Sequence, residues 1–182
     1  MDQALGADLR ALRRARGLTL LALAGAVGRS VGWMSQAERG LSRPTLDDLR
    51  ALAGALDVPL DALLRPEGPE GERGVVVRAG ARGPIGSRAE GLSEELLSPD
   101  LSGAFEVVRS TFAPGARLPR EARRPTEEVG YVESGRLDLT VAGRLHRLGP
   151  GDGFRLRGEP FLWANPHPEP CTVIWVIAPP IY

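Results

Sequence analysis

The chain has no lysine and only one cysteine. Its balanced charge and its single cysteine limit the classes of protein to which it can belong. All 23 basic residues are arginine, and 23 acidic residues balance them, so the formal net charge is zero. A neutral chain does not coat nucleic acid or membranes indiscriminately, because that kind of binding depends on excess positive charge. Cys171 has no second cysteine with which to form an internal disulfide, which indicates a reducing compartment.

Long apolar runs are also missing from the sequence. No segment approaches the roughly 18 apolar residues that a membrane-spanning helix needs. The N-terminal segment 1–17 carries charges throughout, which is not typical of a signal peptide. We therefore expect no membrane contact and a cytoplasmic location.

The two halves of the sequence differ in periodicity, which predicts a multidomain α + β protein. Residues 1–64 have apolar side chains at helical spacing, with serine or threonine before and glycine after several segments, and predict five helices. Residues 65–73, RPEGPEGER, contain only proline, glycine and charged side chains and predict a linker. Residues 74–182 contain short β-branched runs between glycine- and proline-bearing turns. These predict an all-β sandwich or barrel whose first strand is GVVVR at 74–78.

Charge is segregated within the helical half. Between residues 10 and 43 the only acid is Glu38, whereas residues 44–64 carry one arginine, Arg50, and four aspartates. One side of the helical domain is therefore expected to be positive, as binding to a phosphate backbone requires. The arginines that supply this charge are Arg10, Arg13, Arg14, Arg16, Arg29, Arg39 and Arg43.

A motif in this half carries a resemblance over about residues 4–64. The matching residues are Thr19, Leu23, Ala24, Gly28, Ser30, Ser35, Gln36, Glu38, Arg39, Gly40 and Pro44. In this register the segment resembles the lambda-repressor-like (XRE-type) helix-turn-helix family. The resemblance implies that the N-terminal domain binds a double-stranded DNA operator, with the third helix in the major groove.

The resemblance also implies which residues contact DNA. Gln36 is the best candidate for reading a base, because its amide pairs with adenine through two hydrogen bonds. Val31 is expected to touch a thymine methyl group, and Gly32 to allow close approach. Trp33 and Ser35 lie on the same groove-facing side, and Ser30 starts the helix. Contacts to phosphates, which position without specifying, are expected from Thr19, Arg29, Trp33, Arg39 and Arg43.

Structural roles compete with some of these assignments. Arg13 and Glu38 occupy positions that the family often pairs internally, and Trp33 packs against the protein in a second interpretation. A third interpretation gives the helical domain a role in protein contacts alone.

The second half resembles the cupin superfamily of small jelly-roll barrels over about residues 74–182. The similarity lies in APGA (113–116), EEVGYVESG (127–135), LTVAGRLHRLGPGDGF (139–154) and FLWANP (161–166). Metal-binding cupins hold their metal with three histidines and one glutamate. The matching positions here are Ala122, Arg124, Phe161 and Glu128, so we expect neither a catalytic metal nor a cofactor. Two histidines occur elsewhere, His146 and His167, and both are expected at the surface.

A ligand pocket in the barrel is then the main expectation for this half. Strand alternation places Glu128 and Gly130 on one face, and Phe161, Trp163 and Asn165 on one face. Gly130 is expected to leave space, with Arg117 and Arg124 near the mouth. Arginine binds carboxylates and phosphates well, so the effector is expected to be anionic. In the alternative, the arginines form a solvated rim, or Arg124 pairs with Glu128 and fills the barrel.

Taken together, the sequence predicts a transcriptional regulator with no catalytic residues. Its metal-free cupin domain senses a small molecule, dimerises the protein, or both. Two alternatives remain at this point. One is a cupin enzyme of isomerase or dioxygenase type with a DNA-binding domain attached, and the other is a cupin that serves only for dimerisation.

Overall fold

The structure is a computed structural model that describes residues 3–58, 60–64, 70–72, 74–83, 85, 89–99 and 103–180. The chain divides into two compact units. The helical unit comprises Met1–Ile85 with Ser98–Gly103 and Ile181–Tyr182, and the β unit comprises Gly86–Leu97 and Ala104–Pro180. Within the predicted linker at 65–73, the structure describes only residues 70–72, which form a single 3-10 turn. Within the described chain, no helix is long and apolar enough to cross a membrane.

The helical unit has four helices of seven or more residues, not the predicted five. The fifth predicted segment forms only one turn, Leu60–Leu63 (α5). It follows Asp57, which ends the fourth helix in the left-handed region at φ 53°, and it precedes a run rich in proline and glycine. A single turn of this kind is marginal, because its few hydrogen bonds barely offset the cost of nucleating a helix. The four helices are Gln3–Ala15 (α1), Leu20–Ala26 (α2), Val31–Glu38 (α3) and Leu46–Leu56 (α4).

Local capping and a shared apolar core explain where these helices form. Thr45 and Asp48 make a capping box at the start of α4, each side chain bonding the other residue's backbone N–H. Such reciprocal bonds satisfy donors that the first turn leaves without partners. The core between the helices is fully buried, and replacing one such leucine with alanine costs about 2–5 kcal/mol. Its completely buried members are Leu9, Leu12, Leu23, Met34, Leu52 and Leu56.

Close backbone approach joins α1 to the C-terminal end of α3. A methyl group at Gly6 would lie 2.7 Å from the carbonyl oxygen of Ala37 and 2.8 Å from that of Glu38. Only glycine fits at that spacing, because real Cβ atoms do not approach an oxygen so closely. Gly6 therefore sets the position of α3, the helix expected in the DNA groove.

The β unit consists of two antiparallel sheets. The larger sheet has the order β1-β2-β8-β3-β6, and the smaller sheet has the order β5-β4-β7. The strands are Leu92–Leu96 (β1), Glu106–Phe112 (β2), Glu127–Ser134 (β3), Leu137–Val141 (β4), Arg144–Leu148 (β5), Gly153–Arg157 (β6), Phe161–Ala164 (β7) and Cys171–Ala178 (β8).

Two details of the β half differ from the sequence prediction. The run GVVVR at 74–78 is turn and coil, and Val75 is 72% exposed. Among the described residues no strand pairs with this run, so its β propensity is not used. Conversely, β1 and β6 were not predicted. Their sequences, LSEEL and GFRLR, are rich in charge, and they form strands because β2 and β3 supply backbone partners.

Replacing Gly6 with alanine is expected to destabilise the helical unit by about 1–3 kcal/mol, as overpacking in a well-packed interior does. The matched control is Gly25→Ala in α2, where an added methyl group meets no atom within 4 Å. That change should stabilise the helix by about 0.5–1 kcal/mol, because alanine loses less backbone entropy than glycine. Urea denaturation followed by the helical circular dichroism signal measures both. Equal stability of the two variants would contradict the contact described for Gly6.

Candidate functional site

The two helices α2 and α3 each begin with a side-chain cap. The Thr19 hydroxyl accepts a hydrogen bond from the N–H of Ala22 at 3.1 Å, and the Ser30 hydroxyl accepts one from the N–H of Trp33 at 3.1 Å. Both residues were predicted to contact DNA. Each accepts through one lone pair, so its hydroxyl hydrogen stays available as a donor.

The outward face of α3 carries the predicted base readers. Met34, Ala37 and Glu38 are buried and turn inward. Trp33 and Ser35 are half-buried. The exposed residues of the helix and its end are Val31, Gly32, Gln36 and Arg39. The structure therefore brings the predicted readers together on one surface.

Arg29 is held by two contacts before any DNA is present. Its Nε donates to Asp48 Oδ1 at 2.8 Å, and its guanidinium carbon lies 5.2 Å from the centroid of the Trp33 ring. The hydrogen bond from Arg29 is the main cause that lowers the pKa of Asp48 to about 2, so Asp48 is ionised at neutral pH. Trp33 thus packs against Arg29, and both lie next to the helix start.

Gln36 is tied to the loop that follows α3, a connection the sequence did not reveal. The Ser42 hydroxyl donates to Gln36 Oε1 at 3.0 Å. The main-chain carbonyl of Gln36 also accepts a hydrogen bond from the N–H of Leu41 at 2.8 Å. An amide oxygen has two lone pairs, so Oε1 and Nε2 both remain able to pair with adenine while Ser42 fixes the amide's orientation. No periodic or family signal pointed to Ser42, because the contact depends on the path of the loop.

The arginines of the positive half divide into two groups. Arg13 Nε donates to Glu38 Oε1 at 2.5 Å, and Arg16 Nε donates to the carbonyl of Leu56 at 2.9 Å. These two hold the helices together, as predicted for Arg13. Arg39, whose Nε donates to the Ser35 carbonyl, is exposed at the end of α3, and Arg43 is exposed in the loop that follows. Arg10 and Arg14 are exposed on α1. The predicted positive surface therefore lacks the two arginines, Arg13 and Arg16, that hold the helices together.

In the β unit, the place predicted for the ligand pocket contains a buried carboxylate. Glu128 has no exposed surface, and its Oε1 accepts from the Thr126 hydroxyl at 2.7 Å. Its Oε2 lies 3.3 Å from Arg124 Nη1, and the Arg124 side chain is 25% exposed. The Arg124 guanidinium also lies over the Phe161 ring, 5.4 Å from its centroid. The alternative in which Arg124 pairs with Glu128 therefore describes the structure.

The four positions that match the cupin metal ligands do lie together. Ala122 and Phe161 are paired across an isolated β-bridge, and Arg124 and Glu128 are adjacent to them. Only the glutamate offers a ligand atom, and a guanidinium next to it repels a cation. Among the described residues, no group of three histidine, cysteine or acidic side chains is placed to hold a metal ion. A metal does not fit this site.

Gly130 does not leave an open space, contrary to the prediction. A methyl group added there would lie 2.1 Å from the ring of Phe154, so that ring already occupies the volume. Phe154 also packs edge-on against Trp175 at 5.0 Å. Trp163 is 5% exposed and packs edge-on against Phe112 at 4.7 Å. Aromatic side chains from four strands therefore occupy part of the interior of the β unit, and Phe154 itself is half-buried.

Asn165 and Arg117 were predicted to belong to the pocket, but both lie outside this cluster. Asn165 Nδ2 donates to the carbonyls of Phe112 and Glu169, and its Oδ1 accepts from the N–H of His167. These bonds use the amide to hold a loop. Arg117 pairs with Ala164 at one end of β7, whereas Arg124 lies near the other end, beside Phe161. Instead Arg117 lines an open depression together with Glu90, Gly91, Pro114, Gly115, Ala116 and Pro119.

Comparison with known proteins finds the same order of a helical domain followed by a β domain. Residues 4–65 match the model of a helix-turn-helix domain, and residues 108–177 match that of a cupin domain. The HTH-type transcriptional regulator DdrOP3 of Deinococcus deserti is 30% identical over 69% of this chain and 88% of its own length. This chain belongs to the HTH-type transcriptional regulators. SutR of Escherichia coli, another HTH-type transcriptional regulator, is 30% identical over 85% of this chain and 83% of its own length.

A solved structure supports the fold of the β unit. An RmlC-like cupin from Shewanella frigidimarina covers 58% of this chain and 90% of its own, with a TM-score of 0.50 and 19% identity. At that identity the likeness concerns the fold alone. In this HTH-type regulator, the cupin fold therefore accompanies an interior whose ligand positions carry alanine, arginine and phenylalanine.

Replacing Ser42 with alanine is expected to reduce discrimination at one base pair of the operator by about 2- to 10-fold, the value of one hydrogen bond that orients Gln36. The salt dependence of binding should not change, because no phosphate contact is lost. Ser42→Thr, which keeps the hydroxyl, is the matched control. Titrations against an operator selected from random DNA, and against its single-base variants, measure the effect. A uniform loss over all sequences would show that Ser42 supports the fold and not the reading of a base.

Proposed function

We propose that this HTH-type transcriptional regulator binds its operator through the exposed face of α3 and acts as a cytoplasmic homodimer without enzymatic activity. The observation that carries the proposal is an exposed Gln36 on α3, a helix whose start is capped by Ser30, together with the exposed Arg39 at its end and the exposed Arg43 in the loop that follows. An amide reads base edges and arginines bind phosphates. Two such helices, one per subunit, would read half-sites about 34 Å apart.

The predicted contacts divide into readers and positioners under this proposal. Val31, Gly32 and Gln36 read base edges, and Ser35 lies between them. Trp33 and Arg29 form a stacked pair at the start of α3, and this pair contacts the DNA backbone. The remaining contacts to the DNA backbone are made by Thr19, Ser30, Arg39 and Arg43.

The Gln36→Ala and Arg43→Ala variants separate the two kinds of contact. Gln36→Ala should cost about 1–3 kcal/mol on the operator and relax preference at one base pair. Arg43→Ala should weaken binding to all sequences and lower the salt slope by about 1. Arg50→Ala is the control, since Arg50 lies on α4 and bonds Asp47 at 2.9 Å. Fluorescence anisotropy with the selected operator measures all three, and unchanged affinity in both test variants would overturn the DNA-binding assignment.

We also propose an effector role for the β unit, centred on Arg124. The hydrogen bond from Arg124 to Glu128 uses Nη1, and a quarter of the side chain faces solvent. A carboxylate or phosphate arriving from solvent would compete with Glu128 for the guanidinium. Any resulting change in DNA affinity would equal the effector's differential affinity for the two conformations. The aromatic side chains packed in the interior support the competing role, a cupin that only dimerises.

Small anions test the effector role directly. Succinate, citrate and inorganic phosphate should each be tried for a rise in melting temperature, which binding to the folded state causes by mass action. The rise should be lost in Arg124→Gln and kept in Arg117→Gln, because Arg117 lies at the other end of β7. Each variant is compared with and without anion, so a change in its basal stability does not enter. If no anion stabilises the wild type, the effector role at Arg124 is wrong.

A further inference from the structure

The outer face of the larger sheet is unusually apolar. The inward residues of its central strands are buried, including Val108 on β2, Val132 on β3 and Val173 on β8. The opposite face of an antiparallel sheet is normally polar, because it is solvated. Here the outward residues Val107 and Val129 both lie directly beside Val176 in the strand register.

The apolar surface extends beyond this row. Tyr131 is paired with Ile174 in the next row of the same face, and Phe105 precedes β2 in the same alternation. The exposed fractions are 52% for Phe105, 51% for Tyr131, 41% for Val129 and 40% for Val176. We call these six residues, Phe105, Val107, Val129, Tyr131, Ile174 and Val176, the outer apolar patch. A contiguous surface of this kind marks an interaction site on a soluble protein.

Charged residues of both signs surround the patch. Arg109 lies 3.3 Å from Glu133 and 3.7 Å from Glu95 on one side. On the other side Glu127 lies 3.5 Å from Arg155 and 3.1 Å from Arg157. Three arginines therefore face three glutamates, and the net charge of this rim is zero.

A second copy of this chain fits such a surface better than DNA or an acidic partner does. In a two-fold contact the same patch meets itself, so any net charge on it would oppose its own copy. A neutral polar rim around an apolar centre with a tyrosine is the usual anatomy of a protein interface. DNA, by contrast, requires a surplus of positive charge, which this face lacks.

We propose that the outer apolar patch is the dimer interface, with the larger sheets of two copies packed face to face. The inference rests on the proposed function in one respect, that operator reading needs two helical units. It adds the surface that joins them. The interface belongs to the β unit, so it does not involve the groove-facing residues of α3.

A charge placed in the patch should separate the two copies. Val176→Glu is expected to weaken dimerisation by at least about 100-fold, because an acid without a partner becomes buried in the contact. Leu145→Glu is the matched control, since Leu145 is a 49% exposed leucine on β5, in the other sheet. Sedimentation equilibrium gives the dissociation constants, and thermal unfolding shows that each variant is folded. Tyr131→Lys replaces Val176→Glu if the latter fails to fold.

A single introduced cysteine gives an independent measurement. Burial raises the pKa of the Cys171 thiol to about 11, so this native cysteine does not react with maleimide at neutral pH. Val176→Cys should therefore be cross-linked into a covalent dimer by a short bis-maleimide, whereas Leu145→Cys should not.

The outcomes separate this inference from the proposed function. A monomeric Val176→Glu variant that still binds a single half-site, beside a dimeric Leu145→Glu, supports the interface. A Val176→Glu variant that dimerises as tightly as the wild type overturns it and leaves DNA binding untouched. A wild-type protein that stays monomeric at micromolar concentration overturns it as well. Loss of half-site binding in Gln36→Ala, by contrast, reports only on the helical unit.

Discussion

Each unit of this regulator is stabilised internally by buried carboxylates that are paired with arginines. Glu38 is paired with Arg13 between α1 and α3, and Asp48 with Arg29 between the helix-turn-helix and α4. Glu128 is paired with Arg124 inside the β unit. Removing one partner of a buried pair costs about 3–5 kcal/mol, because the other charge is left uncompensated. The exposed Arg29 contributes less than the other two, since water screens its charge.

These pairs also determine which arginines remain for DNA. The sequence has seven arginines between residues 10 and 43, but Arg13 and Arg16 are bonded to the neighbouring helix and to the end of α4. Arg10 and Arg14 on α1, Arg39 at the end of α3 and Arg43 in the following loop stay exposed. The surface proposed for DNA thus has fewer arginines than the sequence count.

Local signals predicted the helical unit well, and non-local contacts limited the prediction of the β unit. Thr19 and Ser30 could be recognised as caps because capping involves residues three positions apart. The interior of the β unit could not be read in this way. Phe154 on β6 fills the space at Gly130 on β3, and only the pairing of those strands brings them together. For the same reason β1 and β6 were missed, and Arg117 was wrongly grouped with Arg124. The contact between Ser42 and Gln36 depends on a loop whose path has no sequence pattern.

The guanidinium of Arg124 gives the cupin fold a cation that belongs to the chain itself. A metal ion in such a barrel can be removed by a chelator, exchanged for another metal or oxidised. Arginine can undergo none of these changes. The charge inside this barrel is therefore a constant of the protein, independent of the metal content and redox state of its surroundings.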